Sequence, residues 1–162
     1  MVRSAQWGRQ HDLTSEGPQP GVRMPNPDSI VPRADASLPI FGCSHANFGL
    51  HAAWVQVVGE LDVATTPQLD RTLREAELQA RLVVLDLREL AFMDSSGVHA
   101  IVDASSRARS VGRRLVLVRG APNVDRMFAL TGSSDEVEIC DVDPGEPPPH
   151  ALRRFTDAAR TA

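Results

Sequence analysis

The chain predicts an α/β fold: a mixed four- to five-stranded sheet flanked by about four helices. Three observations predict it. Apolar runs of strand length recur at residues 54–58, 82–87 and 115–118. Between them lie longer segments whose apolar residues fall three and four apart, the helical spacing. Gly and Pro punctuate the changes of pattern at Gly59, Pro67, Gly112, Pro122 and Gly132. Strands alternating with helices favour a partly parallel sheet.

Each element follows in order. Trp54-Val55-Gln56-Val57-Val58 reads as a strand ending at Gly59, and a short strand around residues 48–50 pairs with it as a hairpin. Thr65 and Thr66 are candidate N-caps, with Pro67 in the first turn. The helix that follows sets Leu69, Leu73, Ala76 and Ala80 on one face, with Arg71, Arg74, Glu75 and Glu77 largely elsewhere. Residues 82–87 are apolar except for Asp86, which suits a strand buried on both faces. Val98, Ile101, Val102, Ser105 and Ala108 then keep helical spacing until Gly112. Leu115-Val116-Leu117-Val118 is a further buried strand. Pro122 and Asn123 open a short helix with Val124, Met127 and Phe128 inward, and Gly132 closes it. Val137-Glu138-Ile139 is a brief last strand. After Pro147-Pro148-Pro149 comes a final helix with Leu152, Phe155 and Ala159 inward.

Length and composition bound the function. A chain of 162 residues holds one domain with a sizeable core. Residues 1–40 carry six of the twelve prolines and no sustained apolar period, the composition of disorder. The expected division is a disordered extension over residues 1–43 and a folded domain over 44–162. A net charge of -4 argues against nucleic acid or an anionic membrane as partner. No apolar run approaches the roughly 20 residues that span a bilayer, and residues 1–7 lack the apolar core of a secretory signal. The expected location is therefore the cytoplasm. Cys43 and Cys140 are too sparse for a disulfide framework and read as packing residues; a redox bridge between them requires that they meet in space.

The chemistry concentrates at one junction. Ala91-Phe92-Met93-Asp94-Ser95-Ser96-Gly97 follows the most continuous strand and opens a helix. Asp94 or Ser95 fits the role of helix cap. A hydroxyl there is also exposed and held in a fixed direction. The dipole and free N–H groups of the first helical turn favour the negative charge of a phosphate on Ser95, while the neighbouring Asp94 opposes it. Ser95, His99 and Asp103 are spaced four apart, but such residues stack along one helix face with their reacting groups pointing alike, and no G-x-S-x-G elbow is present. No enzymatic activity is expected. His11, His45, His51, His99 and His150 show no ligand spacing, so neither a metal nor a cofactor is expected. Gly59-Glu60-Leu61-Asp62 holds too few glycines for a phosphate loop.

Four ordered motifs carry a resemblance. Val58-Gly59-Glu60-Leu61-Asp62, then Val83-Val84-Leu85-Asp86-Leu87, then Phe92-Met93-Asp94-Ser95-Ser96-Gly97, and lastly residues 123–132 ending in Thr131-Gly132, resemble the STAS domain. More narrowly, they resemble the single-domain anti-sigma factor antagonists of bacteria. The likeness covers about residues 44–160. It implies a small sheet flanked by helices and a phosphoacceptor at the start of the second helix, here Ser95. It implies that the unphosphorylated form binds an anti-sigma factor with serine kinase activity and so frees the sigma factor. Phosphorylation at Ser95 then releases the antagonist, and a phosphoserine phosphatase resets it. The implied partner interface comprises Glu60, Asp62, Asp94, Ser96, Gly97 and His99. His99 stands where the family often has a small or apolar residue. Two other readings stay open: an accessory subunit of a lipid-transport ABC system, and a STAS interaction module that is never phosphorylated.

Overall fold

The computed structural model describes residues 41–49 and 51–158. The expected disordered tract lies outside the described residues up to residue 40. The described fold begins with Phe41, which packs into the core, ahead of the boundary expected at residue 44. Strand β1 (Gly42–Phe48) pairs antiparallel with β2 (Ala52–Leu61), from Gly42 opposite Val58 to Phe48 opposite Ala52. The expected hairpin is present, but its first strand lies earlier than residues 48–50. Helix α1 (Thr66–Gln79) leads to β3 (Leu82–Met93), and α2 (Ser95–Ser110) leads to β4 (Arg114–Val118). Helix α3 (Pro122–Leu130) and a 3-10 turn (Ser134–Glu136) precede β5 (Glu138–Cys140), and α4 (Pro148–Ala158) closes the described chain.

The sheet order is sequential, β1-β2-β3-β4-β5. Every pair after the first is parallel. Parallel neighbours require a crossover connection, and α1, α2 and α3 supply the three. Alternation along the strands divides the core in two. Val83, Leu85 and Leu87 share one cluster with Leu69 and Leu73 of α1, Ile101 of α2 and Phe128 of α3. Leu82, Val84, Val116 and Val118 form the other with Ala151, Leu152 and Phe155 of α4. A fully buried leucine of this kind contributes about 1.5–3 kcal/mol. The final helix thus buries Leu152 and Phe155 as expected, while Ala159 lies outside the described residues.

Three local outcomes differ from the sequence reading. Strand β2 does not end at Gly59. That residue takes φ 85°, beside an irregularity in the β2–β3 register between Gly59 and Glu60, and the strand runs on to Leu61. A glycine tolerates this backbone where an L side chain would be strained. Strand β3 continues past Leu87 to Met93, carrying Phe92 and Met93 alongside Glu60 and Leu61. Glu77 is buried, at 7% exposure, because Arg107 of α2 donates to both of its carboxylate oxygens at 3.1 Å.

Candidate functional site

Parallel pairing brings the carboxyl ends of β2 and β3 side by side, with Leu61 opposite Met93. The Asp94 N–H donates to the Leu61 carbonyl (3.1 Å), which ties the start of α2 to the end of β2. Asp94 then leaves the strand with extended backbone as the N-cap of α2. Its Oδ1 accepts from the N–H groups of Ser96 (2.8 Å) and Gly97 (3.2 Å). Two of the helix's orphan donors are satisfied by one carboxylate. Between the two candidate caps named from sequence, the role therefore falls to Asp94.

Ser95 is the first residue of α2 and is exposed. Its hydroxyl has no hydrogen-bond partner among the described residues. Ser96 is half-buried and His99 exposed. Gly97 is buried. A Cβ at that position would lie 2.7 Å from Met93 Cγ and 2.9 Å from Leu61 Cγ and Cδ2. Gly97 is what lets the first turn of α2 sit against the ends of β2 and β3.

Glu60 and Asp62 occupy the neighbouring connection. Both are half-buried, and Glu60 lies opposite Phe92 in the ladder. Asp62 Oδ1 accepts from the N–H groups of Ala64 (2.9 Å) and Thr65 (3.0 Å) and from the Thr65 hydroxyl (3.0 Å). These bonds, that of the Thr65 hydroxyl first, hold the Asp62 carboxyl below its ordinary pKa. Thr65 occupies the N-cap position of α1, but its side chain makes no cap bond. Its hydroxyl turns back instead, accepting from the Asp62 N–H at 2.8 Å.

Two site features escaped the sequence reading. Phe92 is 47% exposed and Val63 is 71% exposed, and both stand at this same end. Their signal in sequence is slight: Phe92 continues an apolar strand and Val63 is one residue in a loop. Glu60, Asp62 and Asp94 enter no ion pair among the described residues. The carboxyl end thus presents a free hydroxyl among carboxylates that enter no ion pair, beside exposed apolar side chains. Such an arrangement can take a modification or a partner. Among the described residues, no group of three or more His, Cys, Asp and Glu could hold a metal ion, and no helix is long and apolar enough to cross a membrane.

Residues 49–143 match the sequence model of the family described as the STAS domain. The chain belongs to the STAS domain family. The match spans β2 through β5 and takes in the whole carboxyl-end site. Over 88 residues this STAS chain is 34% identical to an anti-sigma-B factor antagonist of Listeria monocytogenes, covering 54% of this chain and 77% of the relative. An anti-sigma-B factor antagonist of Staphylococcus aureus is 28% identical over 86 residues, covering 52% and 80%. Among solved structures, the unphosphorylated form of the anti-sigma factor antagonist SpoIIAA superposes with a TM-score of 0.60 at 20% identity, covering 72% of this chain and 97% of its own. An anti-sigma factor antagonist from Mycobacterium paratuberculosis gives 0.59 at 20% identity, covering 71% and 93%. These superpositions show that the STAS fold, including its five-stranded sheet and four helices, is shared.

Proposed function

We propose that this STAS domain is an anti-sigma factor antagonist controlled at Ser95. The unphosphorylated form binds an anti-sigma factor with serine kinase activity and frees the sigma factor. The kinase moves the γ-phosphoryl group of ATP to Ser95 Oγ, whose proton leaves, giving ADP and a phosphoserine. The complex then separates, and a phosphoserine phosphatase restores the hydroxyl. The chain is a substrate and a switch in this reading, not an enzyme, and it acts in the cytoplasm.

The observation that carries the reading is the Ser95 hydroxyl, exposed and unengaged on a helix start fixed by the Asp94 cap and the Gly97 packing. A phosphate adds roughly -1.5 to -2 charges there. The N-terminus of α2 tolerates that charge, so the fold persists while the surface changes. Glu60, Asp62 and Asp94 already make this end acidic. A partner packed directly against Ser95 must therefore bury a doubly charged group, stripped of water and beside carboxylates, or leave. The relatives named above are anti-sigma-B factor antagonists, which supports the partner class.

Incubation with the cognate kinase and ATP is expected to add one phosphate, and Ser95→Ala to abolish it. Ser95→Glu is expected to weaken binding to the anti-sigma factor at least about tenfold, as charge changes inside interfaces do. Phosphate found elsewhere with Ser95 unmodified, or unchanged affinity in Ser95→Glu, overturns the reading. Recovery of a transporter ATPase as the sole partner would replace it with the accessory-subunit role.

A further inference from the structure

The three central parallel strands are electrostatically polar from end to end. At their amino ends stand His51 before β2, Arg81 before β3 and Arg113 before β4. Backbone bonds hold these residues in a row: Arg81 N–H donates to His51 carbonyl, and Arg114 N–H donates to Arg81 carbonyl, both at 2.9 Å. Arg81 is exposed and Arg113 half-buried, and neither enters an ion pair among the described residues. At the carboxyl ends of β2 and β3 stand the unpaired Glu60, Asp62 and Asp94, while Arg119 after β4 is paired with Asp125 and Asp141. Among the described residues, four of the five exposed large apolar side chains divide the same way. Leu78 (78% exposed) near the end of α1 and Val111 (63%) at the end of α2 flank the basic row; Val63 and Phe92 flank the acidic one.

We propose that the amino end of one copy docks on the carboxyl end of another. The occupant is argued from complementarity: the central strands carry free basic groups at their amino ends and free carboxylates at the carboxyl ends of β2 and β3, with exposed apolar side chains beside both. A contact between unlike ends of identical molecules is heterologous, so it leaves a free end on each side and propagates with concentration. Its rim is small, so it belongs with weak, transient contacts. Ser95 lies on the end that is covered, so stacking hides the hydroxyl.

Sedimentation velocity of the full chain tests this without any kinase or partner, so its outcome is independent of whether Ser95 accepts phosphate. At low salt the average mass is expected to rise with concentration past that of a dimer, and high salt is expected to disperse it. Arg81→Glu with Arg113→Glu blocks the basic end and is expected to weaken association at least about tenfold. Glu60→Arg with Val63→Arg blocks the acidic end with the same effect. An equimolar mixture of the two variants retains one good end of each kind and is expected to associate where neither variant does alone. Leu78→Gln with Val111→Gln repeats the basic-end test without charge, should the arginine variant misfold by circular dichroism. A monomer at every concentration, or an association that neither end-blocking variant weakens, overturns the proposal.

Discussion

A methyl group on Gly97 would meet Met93 and Leu61 at less than 3.0 Å, and both neighbours are themselves buried in the core. Gly97→Ala should therefore overpack the junction and cost about 1–3 kcal/mol in denaturant unfolding. Asp94→Ala should cost about 1 kcal/mol through the lost cap, while Asp94→Asn, which still accepts, should cost less. An alanine variant as stable as wild type would mean that the cap is not structural. Cys140 answers to pH. Burial first, then the charges of Glu138 and Asp141, pushes its thiol up to about 11. The folded state thus holds this proton more tightly than the unfolded chain. The contribution is fully present below the ordinary thiol range and is lost as pH rises from about 9 towards 11. Cys140→Ala should flatten stability over that window relative to wild type. At pH 8 the thiolate fraction at Cys140 should be about 100-fold below that of an ordinary thiol, and alkylation correspondingly slow.

Between elements, the contact of α1 with α2 shows where sequence reasoning stops. Glu77 falls on the charged side of α1 by spacing, yet its side chain is 9% exposed against Arg107, thirty residues later in the chain. No local pattern announces an ion pair between two helices. Arg107 also reaches Asp70, which pairs with Arg74, so one guanidinium joins two acids on α1. Arg107→Met would leave Glu77 without its counter-ion. With Arg107 a quarter exposed, the expected cost is about 1–3 kcal/mol, below that of a fully buried pair. Glu77→Met with Arg107→Met should recover much of the loss, and additive single losses in the double-mutant cycle would refute the pairing. The buried helix face of Leu69, Leu73, Ala76 and Ala80 was legible because its period is local. Strand β1 was misplaced because Gly-Cys-Ser-His-Ala-Asn-Phe is a half-exposed edge strand with little apolar alternation. The ends of β2 and β3 were set too early because Gly59 reads as punctuation, whereas a positive φ lets the strand continue. At the site, Ser95 and Asp94 were legible from the strand-to-helix change. The burial of Gly97 and the exposure of Phe92 were not, since both depend on how two strand ends and a helix meet.

Across the whole sheet, sequential strand order has a consequence for the two cysteines. Cys43 lies on β1 and Cys140 on β5, the two opposite edges. Four strand spacings separate them, about 19 Å at ~4.8 Å per spacing. A disulfide requires Cα atoms no more than roughly 7 Å apart. The redox bridge that depended on the two residues meeting is thus excluded within one folded chain. Both thiols are free and partly buried, and burial raises the pKa of each, which slows oxidation further. Dilute native protein treated with diamide, then denatured and titrated with Ellman's reagent, should return two thiols per chain. Its mass should show no loss of two hydrogens. Slow bridging between chains remains open to an edge strand, so non-reducing electrophoresis should assign any lost thiol to a dimer. An intrachain bridge formed under native conditions would require β1 and β5 to be neighbours. That arrangement would close the sheet and contradict the parallel crossovers that bring Asp62, Asp94 and Ser95 to one end.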